Sequence, residues 1–183
     1  MSSAYCTQID PNGSGGDRCG PASCASVLLS EGWQSDPWGL TLECAGKSDP
    51  EMNGTTSQDL LNLMAGYGFV GGLWHAWADG HDHLLRGNAV LLLNENRLLR
   101  PRPYPAGTNW NATHWIRLVA HSVPDGMIYV YDPLTYLYQP DGTVYQGPTV
   151  ATRASCRAAG DATGYPEYGV YFESPSGQNL NRL

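Results

Sequence analysis

The spacing of apolar residues along this chain changes from a helical period to an extended one. Residues 20–31 form a small and apolar run that predicts a buried helix, and Gly32 is a plausible C-terminal glycine for it. Residues 60–64 have the spacing of an amphipathic helix, and residues 55–58 before them have the form of a capping box. Residues 33–54 are rich in Pro, Gly and Asp and predict an irregular connection.

Extended patterns dominate the middle of the chain. Residues 69–74 predict a short strand, and residues 79–86 predict a short helix that leads into Gly87. Residues 88–93 are an uninterrupted apolar run, which is typical of a central strand. Residues 95–111 contain three prolines and predict a long loop.

Two alternating runs follow this loop, at residues 114–120 and 127–132, with turn-forming residues between them. They predict an antiparallel hairpin. The tyrosine-rich remainder predicts further short strands, the last near residues 168–172. Because helices come first and strands afterwards, with no repeat and no internal linker, the pattern indicates one α+β domain over residues 1–183.

Composition and charge narrow the range of partners. The net charge is −7, and only one of the ten basic residues is a lysine, so nucleic acid is not an expected partner. The longest apolar run, residues 89–93, is much shorter than the ~20 residues of a membrane-spanning helix. The N-terminus has no positive segment followed by an apolar run, so we expect no signal peptide and synthesis in the cytoplasm. The sequence does not address the oligomeric state.

The cysteine and histidine spacings do not predict a metal site. The five cysteines are irregularly spaced and include no C-x-x-C pair, which disfavours a zinc knuckle. A disulfide that involves Cys6, Cys44 or Cys156 stays open, although a cytoplasmic start disfavours it. His81 and His83, with acidic residues nearby, have no helical His-x-x-x-His pair with a glutamate, so a solvated turn is the preferred interpretation. We therefore expect no metal and no cofactor.

Cys19 is the first candidate for chemistry. It follows a glycine-rich loop and precedes Gly20 and Pro21, and a proline is tolerated in the first turn of a helix. Cys19 is therefore expected at the N-terminus of the first helix, where free N–H groups and the helix dipole stabilise a thiolate and lower its pKa. The alternative is a small apolar thiol that happens to begin a helix.

The predicted hairpin supplies a possible partner for this cysteine. If paired residues have numbers that sum to 246, Leu118 lies opposite Ile128, and His114 lies opposite Asp132. A shift by one residue would place His114 and Asp132 on opposite faces and break the apolar pairs. A carboxylate beside an imidazole fixes its tautomer and leaves the second nitrogen to take a proton from a thiol. The alternative is two unrelated, solvated side chains.

These residues occur in an order that resembles a known family. Gln8, Cys-Gly-Pro-Ala-Ser at residues 19–23, Arg-Gly-Asn-Ala-Val at 86–90, His-Trp at 114–115 and Tyr-Asp-Pro at 131–133 follow one another. The order resembles the papain-like cysteine peptidases of the bacteriocin-processing, double-glycine leader family. It covers about two thirds of the chain. The resemblance implies a papain-like α+β fold in which N-terminal helices pack on an antiparallel sheet.

The resemblance also implies roles for individual residues. Cys19 would be the nucleophile, His114 the general base and acid, and Asp132 the residue that orients His114. Gln8 would donate to the oxyanion together with the Cys19 backbone N–H, with Gln34 as a weaker substitute. Trp110 and Trp115 flank the histidine, and we expect them to line a substrate groove rather than to pack in the core.

The function that follows is hydrolysis of peptide bonds by a Cys-His-Asp triad. With no signal peptide expected, one setting is a phage-type lysin or virion-associated enzyme that cuts peptide cross-links of the bacterial cell wall. A catalytically inactive papain-like module, for binding or for virion structure, is an alternative. A second alternative is acyl transfer to an amine, as in transglutaminase-like enzymes, which use the same residue types.

Overall fold

The computed structural model describes residues 4–8, 18–48, 54–95, 113–119, 126–134, 137–138, 144–145 and 147–181. Within these residues, helices dominate the first part of the chain and strands dominate the remainder, as the sequence predicts. The helices are α1 (Cys19–Glu31), α2 (Pro37–Ser48), α3 (Ser57–Ala65), α4 (Trp77–Leu85) and α5 (Arg153–Asp161). The strands are β1 (Val70–Trp74), β2 (Ala89–Glu95), β3 (Thr113–Val119), β4 (Met127–Tyr131), β5 (Leu137–Tyr138), β6 (Val144–Tyr145), β7 (Thr149–Thr152) and β8 (Gly169–Glu173).

The ends of α1 and α3 follow from their sequences. Gly32 ends α1 with φ of 100°, a left-handed conformation that glycine adopts without strain, and its N–H reaches the carbonyls of the last helical turn. The capping box of α3 is one residue later than predicted. Thr56 accepts from the backbone N–H of Asp59, and the Asp59 carboxylate accepts from the N–H of Thr56.

Helix α2 corrects the prediction that residues 33–54 are irregular. Pro37 is the first helical residue, where a missing N–H costs nothing. Leu40 and Cys44, one turn apart, are buried in the same core as α1. Gly39 and Gly46 lower the local helix propensity, so the helix depends on this tertiary burial rather than on its own sequence.

Six strands form one antiparallel sheet in the order β1-β8-β2-β3-β4-β7, and β5 and β6 form a separate two-stranded ladder. Strand β2 is central, and its side chains alternate between two cores. Leu91 and Leu93 pack with α1, α2 and α3, whereas Val90 and Leu92 pack with residues of α4 and α5. The predicted α+β architecture, with N-terminal helices packed on an antiparallel sheet, is confirmed.

Helix α5 is absent from the sequence prediction, which expected only strands in the tyrosine-rich tail. Thr152 caps the helix by accepting from the N–H of Ser155. Gly160 packs so closely that an added Cβ would lie 2.7 Å from Tyr168. The helix covers the second core with the small residues Cys156, Ala159 and Gly160, so its sequence shows no run of large apolar side chains.

The register of the predicted hairpin differs from the expected one. Leu118 pairs with Val130 and Arg117 with Tyr131, so the paired numbers sum to 248 rather than 246. The difference is two residues, and side chains alternate with period two. His114 and Asp132 therefore stay on one side of the hairpin, as diagonal neighbours instead of directly opposite ones.

All five cysteines are free thiols, so none of the possible disulfides forms. Among the described residues, no helix combines the length and the apolar character that crossing a bilayer requires.

Candidate active site

Cys19 is the first residue of α1, as predicted, and it is partly exposed. The preceding residue, Arg18, makes no side-chain hydrogen bond that caps the helix. Burial of the thiol raises its pKa, but a hydrogen bond with His114 and the positive charge of that ring outweigh burial. The pKa of Cys19 is therefore lowered from its ordinary value of 9.0.

His114 joins Cys19 to Asp132. Its Nε2 donates to Oδ1 of Asp132 over 2.6 Å, and both side chains are buried. A carboxylate can only accept, so Nε2 carries the proton and Nδ1 is the ring nitrogen left for the thiol. Burial lowers the pKa of His114, but the charge and hydrogen bond of Asp132, together with Cys19, raise it to about 9.

Strand β3 and its neighbour hold the histidine in place. His114 pairs with Asn94 of β2, and the Asn94 side-chain amide donates to the His114 carbonyl over 2.7 Å. Asn94 is itself buried. A second strand therefore fixes the backbone of His114 independently of its ring.

Asp132 is fixed by the residues that follow it and by the N-terminus. The backbone N–H of Leu134 donates to the same Oδ1 that accepts from His114, over 2.8 Å. The hydroxyl of Tyr5 donates to the Asp132 carbonyl over 2.8 Å. These bonds hold the carboxylate, one residue after β4, in the orientation that meets the imidazole.

Gln8 lies in the same short N-terminal segment. Its backbone N–H donates to the carbonyl of Pro133 over 2.9 Å, and the Thr7 hydroxyl donates to that carbonyl as well. The Gln8 side chain is buried, with 5% of its surface exposed. The fold therefore brings this residue beside the turn that carries Asp132, although residues 9–17 between Gln8 and Cys19 lie outside the described part.

A cavity of about 350 Å³ opens beside Cys19. It is large enough for one or two side chains of a peptide. Its described lining residues come from four parts of the chain: Cys19; Gly54, Thr55, Thr56 and Ser57 before and at the start of α3; Leu93, Thr113 and Trp115 from β2 and β3; and Tyr165 and Glu167 before β8. The sequence analysis missed the second and fourth groups, because nothing local connects them with Cys19.

The two predicted groove tryptophans have different outcomes. Trp115 lines the cavity and is also part of the core, with 3% exposure, and its Nε1 donates to the Thr55 carbonyl over 2.8 Å. That bond ties β3 to the opposite side of the cavity. Gly20 allows α1 to pack closely against this side of the cavity, since an added Cβ would lie 3.0 Å from both Thr55 and Leu60. Trp110 lies outside the described residues.

The described residues contain no group of three or more His, Cys, Asp or Glu side chains that could hold a metal ion. His81 and His83 lie in α4 rather than in a solvated turn. The ring of His83 stacks on Tyr171, with 3.5 Å between the ring centres, and its Nδ1 is 3.1 Å from the side-chain amide of Asn88. His83 thus has a packing role.

Comparisons with solved structures show the fold. The chain is similar to the peptidase domain of Streptococcus ComA, a bifunctional ABC transporter involved in a quorum-sensing pathway, with TM-score 0.55 and 16% identity over 92% of this chain and 94% of that one. It is also similar to a putative C39-like peptidase from Bacillus anthracis, with TM-score 0.63 and 12% identity over 93% of this chain and 94% of that one. No protein-family model and no curated protein sequence matches. The expected resemblance to bacteriocin-processing peptidases is therefore confirmed at the level of the fold.

Proposed function

We propose that the protein is a papain-like cysteine peptidase or amidase in which Cys19 is the nucleophile. The observation that carries this proposal is the linked set of three side chains: a thiol of lowered pKa, a histidine whose pKa is raised to about 9, and a carboxylate bonded to the far ring nitrogen. Near neutral pH these shifts favour a thiolate beside an imidazolium, which is the reactive form of such a pair. The fold shared with two peptidases supports the same conclusion.

In the proposed reaction, the Cys19 sulfur attacks the carbonyl carbon of a peptide bond and forms a tetrahedral intermediate. His114, protonated at Nδ1, gives that proton to the departing amine as the carbon–nitrogen bond breaks. A water molecule then attacks the thioester, His114 accepts its proton, and the thiolate leaves. Asp132 keeps the ring oriented and stabilises the imidazolium throughout.

Gln8 is the proposed donor to the oxyanion, together with the backbone N–H of Cys19. An N–H in the first turn of a helix has no acceptor within that helix, so it can serve a ligand. Each such donor stabilises a transition state by on the order of 3 kcal/mol. The hydrogen bond between the Gln8 backbone and Pro133 supports this role, because it holds Gln8 next to Asp132.

For the biological substrate, we propose peptides of the bacterial cell wall, cleaved by a phage-type lysin or virion-associated enzyme that other factors deliver from the cytoplasm. The resemblance to bacteriocin-processing peptidases supports cleavage of peptides, and the cell-wall setting is our proposal for where that cleavage occurs. It is independent of the chemistry at Cys19.

The proposal is tested by incubating the protein with purified peptidoglycan and with a peptide library, and reading the products by mass spectrometry. We expect new peptide termini with the wild type and none with Cys19→Ala. Cleavage of library peptides without release from peptidoglycan would contradict the cell-wall setting only. Incorporation of an added amine in place of cleavage would favour acyl transfer.

Thiol labelling separates a catalytic site from an inactive module. Iodoacetamide at pH 6 should alkylate Cys19 faster than free cysteine, because Cys19 keeps a larger thiolate fraction at that pH. A protein that shows neither fast labelling nor hydrolysis would be a binding or structural module.

A further inference from the structure

Glu167 carries the only carboxylate among the described residues that line the cavity. It is half-buried, and its Oε1 accepts from the hydroxyl of Ser57 over 3.2 Å. The ion pairs of the described residues involve other carboxylates, those of Glu43, Asp132 and Asp161. The negative charge of Glu167 is therefore not balanced by a cation from the described part of the protein.

The segment that carries Glu167 is held on both sides. Tyr168, the next residue, donates its backbone N–H to the Trp74 carbonyl over 3.0 Å. The carbonyl of Pro166 lies 3.2 Å from Nδ1 of His75, and the Tyr165 N–H donates to the Thr163 hydroxyl over 3.3 Å. A carboxylate on so constrained a segment loses little conformational entropy when it binds a ligand.

Aromatic rings accompany this carboxylate. Tyr165, two residues earlier, lines the cavity and has 55% of its surface exposed, and Trp115 lines the cavity close to the core. Aromatic faces attract cations, and the effect adds to that of a carboxylate. The net charge of −7 further favours positively charged ligands.

We infer that the cavity beside Cys19 is a subsite for a cationic group of the substrate, bound by Glu167 with Tyr165 at its side. The inference rests on the proposed peptidase function and gives it a substrate class: peptides with a positively charged nitrogen close to the cleaved bond. That nitrogen belongs either to a lysine or arginine side chain or to the free amino terminus of a short peptide.

The first experiment measures kcat/KM for matched peptides. N-acetylated peptides that carry lysine at successive positions around the cleaved bond are compared with the same peptides that carry norleucine. The wild type should favour lysine at one position by about two- to fivefold, the range of a partly exposed ion pair, and the preference should weaken at high salt. Peptides without lysine but with a free N-terminus test the second source of the cation.

Glu167→Gln removes the charge and keeps the shape, so the lysine-to-norleucine ratio should fall close to one. Glu167→Asp should retain part of it. Glu173→Gln is the matched control, because it removes the same charge from an exposed position of β8 that does not line the cavity. Its ratio should equal that of the wild type. A ratio of one in the wild type, or an equal loss for both peptides in Glu167→Gln with a lower melting temperature, would show that Glu167 only tethers Ser57.

A second measurement does not depend on hydrolysis. Cys19 is modified with a cationic aminoethyl and a neutral ethyl methanethiosulfonate, with Cys19→Ala as background. The quantity compared is the ratio of the modification rate with the cationic reagent to that with the neutral one. This ratio should be higher in the wild type and in Glu173→Gln than in Glu167→Gln. If this difference appears without any hydrolysis, the subsite stands and the peptidase proposal fails. Hydrolysis that depends on Cys19, without a charge effect in either measurement, would overturn the subsite alone.

Discussion

Two cysteines of α1, five residues apart, have thiol pKa values that are shifted in opposite directions. Cys19 at the first position of the helix has a lowered pKa, whereas burial and the nearby Cys44 raise the pKa of Cys24 well above 9.0. Cys6, Cys44 and Cys156 resemble Cys24, since burial is the main cause that raises the pKa of each to about 12. Burial raises the pKa of both thiols. The difference is that Cys19 has a hydrogen-bonding cation and Cys24 has only apolar neighbours and another thiol.

The comparison shows that the hydrogen bond and positive charge of a partner can reverse the rise in thiol pKa that burial produces. One helix can therefore contain a reactive sulfur and an inert one. The inert sulfur contributes packing, and the acidic one is the proposed nucleophile.

The largest effect is expected when each of the two cysteines is replaced in turn by alanine. Cys19→Ala should abolish hydrolysis, a loss of about 10⁴-fold or more, because the nucleophile is gone. Cys24→Ala should keep hydrolysis but lower the free energy of unfolding by about 1–2 kcal/mol, since it leaves a small cavity in the core. Product release and urea unfolding measure the two effects. Loss of activity in Cys24→Ala with an intact fold would contradict the comparison.

Removing the carboxylate that supports His114 should shift the pKa of Cys19 towards the higher values of the core cysteines. Asp132→Asn should lower kcat/KM by about 10²- to 10⁴-fold. In the wild type, kcat/KM should fall as the pH rises through about 9, where His114 loses its proton. Without the Asp132 charge the pKa of His114 decreases, so this fall should begin at lower pH.

The same variant should also raise the pKa of Cys19, because a neutral imidazole stabilises the thiolate less. Alkylation of Cys19 at pH 6 should therefore become slower. Asp82→Asn, on an exposed position of α4, is the control and should leave the pH profile unchanged. An unshifted profile in Asp132→Asn would mean that Asp132 does not act through His114.

A smaller loss is expected from the proposed oxyanion donor. Gln8→Ala should lower kcat by about 10²-fold and leave the alkylation rate of Cys19 unchanged, because the donor acts on the substrate and not on the thiol. Gln34→Ala is the control, since Gln34 is exposed and its amide donates to the Gly32 carbonyl. If Gln34→Ala gave the larger loss, the donor would have been assigned to the wrong glutamine.

The smallest effect concerns the end of α1 remote from Cys19. Gly32→Ala should lower the free energy of unfolding by about 1 kcal/mol, because alanine is strained at a φ of 100°. Activity should persist, since Cys19 is at the other end of the helix. Gly46→Ala in α2 is the matched control, with no atom within 4 Å of the added Cβ, and should stabilise by about 0.5–1 kcal/mol. Thermal unfolding measures both.

Local sequence patterns predict the parts of the site that depend on interactions between residues close together in the chain. Proline after Cys19 is compatible with a helix start, and Gly32 is compatible with its end. Alternation along β3 and β4 places His114 and Asp132 on one side of a hairpin. That conclusion is correct although the register is wrong by two residues, because a shift of two preserves the face and a shift of one does not.

Other features depend on contacts between distant parts of the chain. Helix α2 has a weak propensity of its own and forms because it covers a core that other elements complete. Helix α5 buries only small residues against the second core, and they do not stand out in the sequence. The docking of Gln8 on Pro133 joins residues 125 positions apart through one backbone hydrogen bond. No pattern of nearby residues predicts such a bond.

The sequence alone thus determined where the thiol begins its helix, which strand face carries the imidazole and carboxylate, and the class of fold. Tertiary structure decided the strand register, the contact with His114 that lowers the pKa of Cys19, and the cavity in which residues before α3 meet Tyr165 and Glu167. The physical reason is the distance along the chain over which each effect acts. Propensity, capping and side-chain alternation act within a few residues, whereas pKa shifts and cavities depend on groups that approach only when the whole chain is folded.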